Sequence, residues 1–295
     1  MCRAFGTSTQ AYYQYNGSRE LRQSALEMFA VEFILKTRLK NPGMGGRKIW
    51  HMYRVEFPSG DRLGRDRFES LMARNGLTLR KKPRRTRTTD STHSFPLYPN
   101  LARDLIPGRV NQLWVSDITY IPLWIGDEAH RFCYLSLITD AYSREIVGWS
   151  VGLTLDTAHP LMALDMALAR LDERQPEKLI HHSDRGVQYA CRKYTERLKG
   201  NGIVISMTES GDPKENAQAE RINSTIKNEM LKDKRFHSLG QAVEAIEAAV
   251  DFYNNHRPHM SLDMMTPAQA AQRSGEIKKR WHSYREDAIK KNGRA

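Results

Sequence analysis

Apolar residues fall at helical spacing in the first third of the chain and at strand spacing from about residue 110 onward. The spacing predicts a helix over 20–40, carrying Leu21, Ala25, Met28, Phe29, Glu32 and Leu35 and stopped by Pro42-Gly43. A second helix is expected over 46–57, with Ile49, Tyr53 and Phe57 on one side. A third is expected over 65–75, with Phe68, Leu71 and Met72 turned inward and Asn75-Gly76 as its stop. Residues 112–122, 131–139 and 145–153 are rich in β-branched and aromatic side chains and read as strands, with a turn at 140–143. Leu161, Leu164, Leu168 and Leu171 mark a helix over 158–171. A strand at 178–182, a helix at 191–200, a strand at 202–207 and helices at 214–231 and 239–255 complete the pattern. Ser238 is the expected N-cap of the last, with Leu239, Val243, Ile246, Val250 and Tyr253 as its buried stripe. The final 20 residues are charged and expected to fray.

Charge sharpens this division. Residues 1–109 hold 21 Lys and Arg against 9 Asp and Glu, whereas residues 110–295 hold 25 of each, so the net charge of +12 lies entirely in the first third. A basic module ahead of a neutral one suits phosphate binding followed by chemistry, although a merely basic solvated surface also fits. Short helices joined by tight turns read equally as a helix-turn-helix-like unit or as a small bundle with no groove-reading role. Arg80, Lys81, Lys82, Arg84, Arg85 and Arg87 form a run of six basic residues in eight. It reads as a solvated linker or as a segment that tracks DNA phosphate. The divisions expected are a basic helical DNA-binding module at 1–79, a basic linker at 80–109, a catalytic core at 110–275 and a charged tail at 276–295.

Composition removes several classes of function. No stretch of 18 apolar residues offers a membrane span, and the first 30 residues lack a secretory pattern. The three cysteines, Cys2, Cys133 and Cys191, are scattered and form no CxxC pair. That argues against a disulfide framework or structural zinc and for a reducing cytoplasm.

Three carboxylates carry the chemistry. Asp117 shares strand parity with Leu113, Val115, Thr119 and Ile121, which puts an acid on a largely apolar face. A buried carboxylate needs compensation, either from a divalent cation or from a serine or backbone amide. Asp184 ends an apolar strand before Arg185-Gly186, a place suited to ligand binding or to a plain turn cap. Glu220 follows after 35 intervening residues, on a helical stripe with Asn216, Asn223, Ser224 and Lys227. That stripe could hold a metal and a DNA strand, or simply face solvent. Lys214 and Lys227 bracket Glu220 and are candidate phosphate contacts. His181 and His182 read as core or turn residues that alternatively touch DNA or order the carboxylates. Three acids on strand, strand end and helix suit two-metal phosphoryl transfer.

Three antiparallel strands followed by helix-strand-helix-strand-helix is the ribonuclease H-like order, a mixed five-stranded α/β sheet with flanking helices. Asp117-Ile-Thr-Tyr120, Asp140-Ala-Tyr-Ser-Arg144 with Val147-Gly-Trp149, and His182-Ser-Asp-Arg-Gly-Val-Gln-Tyr189 resemble motifs of retroviral-integrase-like transposases. So do Asn216-Ala-Gln-Ala-Glu220 and Tyr253-Asn-Asn-His-Arg-Pro-His259 with Thr266-Pro267. The chain most resembles the second-frame product of bacterial insertion sequences with two overlapping frames, over roughly residues 45–270. The resemblance implies that Asp117, Asp184 and Glu220 are a DDE triad holding two Mg²⁺ or Mn²⁺ ions, with Asp117 as the bridge. It implies cleavage and strand transfer on insertion-sequence ends, DNA as partner, and a multimer that brings two ends together. His256, Arg257 and His259 are expected to pack the turn they occupy. No His/Cys zinc module and no sustained heptads are visible, so recognition of element ends is expected to need the upstream-frame segment fused to this one. Two rival readings stay open: a metal-dependent nuclease of the same fold, and a DNA-binding fragment that is inactive without its fusion partner.

Overall fold

Described from the N-terminus, helix α1 (Gly17–Lys40) leads into α2 (Gly46–Glu56) and α3 (Arg65–Arg74). The computed structural model describes residues 17–60, 62–79, 96–171, 178–209 and 213–292. Two compact units divide them: 17–39 with 44–79, and 40–43 with the rest. In the first unit, Ile49 and Tyr53 of α2 and Phe68, Leu71 and Met72 of α3 are buried, on the sides their spacing predicts. Tyr53 lies at its centre, with its ring 5.5 Å from Phe33 and 5.0 Å from Phe68 and its hydroxyl accepting from the Leu63 amide at 3.2 Å. The inward face of α1 differs from the expected one. Ala30 and Ile34 are buried, whereas Leu21, Met28, Phe29 and Leu35 stay exposed. A helix with apolar residues on several faces leaves spacing alone unable to choose which one packs.

The second unit is built on a five-stranded sheet in the order β3-β2-β1-β4-β5. Strand β1 (Leu113–Ile125) pairs antiparallel with β2 (Glu128–Asp140), and β2 antiparallel with β3 (Ile146–Gly152). After α4 (Ala158–Leu168), strand β4 (Ile180–Ser183) pairs parallel to β1. A short helix α5 (Val187–Ala190) and α6 (Arg192–Gly200) precede β5 (Val204–Met207), parallel to β4. This mixed order, with helices flanking the sheet, is the ribonuclease H-like fold. The β1–β2 hairpin runs longer than the spacing predicts and turns at Gly126, whose φ of 59° only glycine adopts readily. Trp114, Ile138, Leu164, Tyr194, Leu198 and Met207 fill one core between sheet and helices. Helix α4 lies hard against β3, because a Cβ on Gly148 would stand 2.0 Å from the Ala163 carbonyl oxygen.

The β2–β3 turn is organised by Asp140, which is 1% exposed. One of its oxygens accepts from the Tyr142 and Ser143 amides and the Ser143 hydroxyl, at 3.1, 2.7 and 2.8 Å. The other accepts from the Asn111 amide at 2.7 Å. Beyond β5 the helix expected at 214–231 has three parts: a 3₁₀ turn (Pro213–Asn216), α7 (Ala217–Thr225) and a π-helical turn (Ile226–Met230). Helix α8 (Leu239–Asn255) begins at Ser238, whose hydroxyl accepts from the Gln241 amide at 3.2 Å, and is followed by α9 (Pro267–Ala271).

The C-terminal segment is folded rather than frayed. Helix α10 (Tyr284–Asn292) is tied back by Arg285, which donates to the Ala102 and Arg103 carbonyls at 2.9 and 2.8 Å. The charge that suggested fraying forms specific pairs here, including Lys290 with Glu276 and Arg280 with Asp263. Among the described residues no helix is long and apolar enough to cross a membrane.

Candidate active site

Three elements of the second unit carry the three acids. Asp117 sits mid-strand on β1, opposite Leu137 of β2. Asp184 follows the last residue of β4, the strand that pairs with β1 on its other side. Glu220 lies in the first turn of α7.

Helix α7 is pinned to β1 on either side of Glu220. Asn216 is buried and donates its side-chain amide to the Ser116 carbonyl at 2.9 Å. Asn223 is buried and donates to an Asp117 oxygen at 2.8 Å. The other Asp117 oxygen accepts from the Ile118 amide at 2.9 Å. The polar stripe seen in the sequence is therefore split: its two asparagines turn toward the sheet, whereas Glu220 and Ser224 are exposed and Lys227 is half-buried. Asn216 acts here as a tether, which differs from its reading as a DNA contact, because a buried amide bonded to a backbone carbonyl has no reach to a strand in solvent. Nothing in a residue's spacing says whether an amide faces in or out.

Electrostatics join the acids. Burial raises the Asp117 carboxyl to about 7, the Asp184 charge adds to the rise and Glu220 adds a little more, while the bonds from Asn223 and Ile118 oppose it. The Asp184 carboxylate accepts from the Gly186 amide at 2.9 Å, closing a tight turn that fixes its direction. The turn reading of Asp184 thus holds beside its place near Asp117. Among the described residues no three His, Cys, Asp or Glu side chains are gathered tightly enough to enclose an ion. The donor set itself is all carboxylate oxygen, which suits a hard divalent cation, and its mutual repulsion is what such a cation relieves.

The neighbouring histidines are interior residues. His181 Nε2 meets the Tyr194 hydroxyl at 3.0 Å, and burial lowers this ring to about 3. His182 bridges the Ser206 hydroxyl at 2.8 Å and the Glu215 carbonyl at 3.2 Å, and burial lowers it to about 4. Both are neutral at pH 7 and organise β4 and β5.

A second buried network was not legible in the sequence. Arg257 makes a two-point pair with Glu229 of the π-helical turn, at 2.8 and 2.7 Å. Glu229 also accepts from Asn41 at 2.9 Å, and its carbonyl from the Gly43 amide at 2.8 Å. Arg257 reaches His259 at 3.0 Å, so this turn packs as expected. The run Arg80, Lys81, Lys82, Arg84, Arg85 and Arg87 and the Lys214 side chain lie outside the described residues.

The chain is 34% identical over 258 residues to a putative transposase for insertion sequence element IS986/IS6110 from Mycobacterium tuberculosis, covering 85% of this chain and 88% of that protein. It belongs to the insertion-sequence transposases with an integrase-type core. These are DNA phosphoryl-transfer enzymes. The transposase for insertion sequence element IS629 from Shigella sonnei is 35% identical, over 77% of this chain and 73% of that one. Two integrase core domain models match residues 107–213 and 201–267, which together contain all three acids. Among solved structures, the HTLV-2 integrase catalytic core domain in complex with magnesium aligns with a TM-score of 0.41 at 18% identity, over 56% of this chain and 98% of that one.

Proposed function

We propose that this transposase cleaves DNA strands at insertion-sequence ends by in-line attack of water, which frees a 3′-hydroxyl, and then joins strands by direct transesterification. A 3′-hydroxyl oxygen attacks phosphorus in line, the new P–O bond forms as the old one breaks, and one phosphodiester replaces another without ATP. The observation that carries the reading is Asp117: a carboxylate held by Asn223, beside Asp184 and Glu220, and pushed up to about 7. Asp117, Asp184 and Glu220 would hold two divalent cations, Mg²⁺ or Mn²⁺. Bound there, the ions supply positive charge at the attacking and leaving oxygens.

The chain's own groups supply position. Asn223 fixes the Asp117 carboxylate, Asn216 sets the height of α7 over β1, and the Gly186 amide orients Asp184. Ser224 near the end of α7 and Lys227 in the π-helical turn, both beyond Glu220, would meet a DNA strand. Lys214 and the basic run at 80–87 would add phosphate contacts, and residues 1–79 a DNA-binding module. The protein would act in the cytoplasm as a multimer on DNA, with the upstream-frame segment fused to it for recognition of the ends.

Asp117→Asn, Asp184→Asn and Glu220→Gln are each expected to abolish metal-dependent strand cleavage while DNA binding persists. Wild-type cleavage by any one of them would remove that residue from the triad.

A further inference from the structure

Beneath the C-terminal segment, between the β2–β3 turn and α10, lies a cavity of about 700 Å³. It is apart from the three acids and no step above uses it. Arg144 lines it from the turn, and Lys279 and Lys290 from the C-terminal segment. Its lining holds four Lys and Arg (Arg144, Lys278, Lys279, Lys290) against three Asp and Glu (Glu276, Glu286, Asp287). All three acids are already matched: Glu286 with Lys279, Glu276 with Lys290 at 2.9 Å and Asp287 with His282 at 2.8 Å.

Arg144 is the group left over. No hydrogen bond to its guanidinium forms among the described residues, and its Nε is buried without an acceptor. The adjacent acid, Asp140, makes no hydrogen bond to it; its oxygens accept from Tyr142, Ser143 and Asn111. The Arg144 backbone has a φ of 66°, a left-handed conformation that arginine rarely adopts, so the turn holds this side chain in place at some strain. Burial lowers its pKa, Tyr253 and Asp140 oppose that fall, and the charges of Arg221 and Arg285 add smaller lowering effects. Lys279 is lowered to about 8, by burial first and then by Arg144 and Arg285. Cations that repel one another in a concave site, one of them with unused donors, are short of an anion. A guanidinium fork fits a phosphate oxygen pair.

We infer that this cavity is a phosphate-binding site in which Arg144 is the main donor and Lys279 the supporting charge. Its ligand is a phosphate oxyanion, from a DNA strand backbone or from a free phosphate. The site stands independently of the metal-dependent chemistry proposed above.

The test uses the full chain without divalent metal, so that it stays separate from cleavage. Duplex DNA binding is measured across a salt series, and thermal protection by inorganic phosphate is measured against sodium chloride of equal ionic strength. If DNA supplies the phosphate, Arg144→Gln flattens the slope of log affinity against log salt by about 0.9, one phosphate contact, and weakens binding severalfold. Arg144→Lys keeps the slope and loses part of the affinity. If free phosphate is the ligand, Arg144→Gln instead abolishes phosphate protection and leaves the DNA slope alone. Lys279→Gln provides the same readouts should Arg144→Gln fail to fold. Folded variants with wild-type slope and wild-type phosphate protection would overturn the site.

Discussion

The Asn223 amide donates to the Asp117 carboxylate at 2.8 Å, joining residues 106 apart in the chain. The bond joins helix α7 to the centre of β1, and Glu220 lies one helical turn from it. Its removal should be read in two ways. Asn223→Ala takes away an interaction that lowers the Asp117 pKa, so the carboxyl should titrate above its present value of about 7. Divalent metal needs the ionised carboxylate, so metal affinity should fall as pH drops through about 7 in the wild type and at higher pH in the variant. A loss of roughly 10–100-fold in affinity or cleavage at pH 7 is the expected scale. Metal titrations at several pH values check this, and coincident curves for both proteins would show that Asn223 does not orient Asp117.

His181 makes a second pH-dependent statement, about stability. Its folded pKa of about 3 lies below the unfolded value of 6.5. A neutral buried ring stabilises fully above the unfolded value, and that contribution is lost as pH falls from 6.5 toward 3. The loss is about 1.4 kcal/mol per pH unit for each such group. His182 adds a similar loss between 6.5 and about 4. Urea unfolding should therefore show a stability loss below pH 6.5 that His181→Asn partly flattens. The same acid dependence in wild type and variant would contradict this assignment.

Arg257 and Glu229 form a buried pair, with side chains 5% and 18% exposed. Arg257→Ala strands Glu229 and should cost ~3–5 kcal/mol of stability. Arg257→Lys should rescue little, because one ammonium cannot replace a two-point guanidinium bond. Chemical denaturation of the two variants checks both statements.

Neutralising Arg80, Lys81, Lys82, Arg84, Arg85 and Arg87 should weaken DNA binding and flatten its salt dependence, since each phosphate contact contributes about 0.9 to the slope. An unchanged slope would make the run a spectator.

Much of this was legible in the sequence because the signals were periodic. Alternation in β1 and β2, the Asp140 turn and the Ser238 cap all appear where local pattern places them. Asp117 and Asp184 were legible as candidates because one centres β1 and the other follows β4, two strands that pair, and Glu220 because it stands in the first turn of α7. The inward turn of Asn216 and Asn223, the Glu229–Arg257–Asn41 network and the tie of Arg285 to 102–103 were not. Each joins residues far apart in the chain, and polar residues look alike in a sequence whether they bond protein or water. The face of α1 failed for a related reason: apolar residues on several sides leave the choice to the partner that packs.

The most direct test of the central claim is incubation of the purified chain with a branched DNA substrate that mimics a strand-transfer product, in Mg²⁺ or Mn²⁺, beside its Glu220→Gln variant. Metal-dependent resolution into rejoined strands, lost in the variant, is the expected result. Hydrolysis without rejoining, or rejoining undiminished in Glu220→Gln, would contradict strand transfer by this triad.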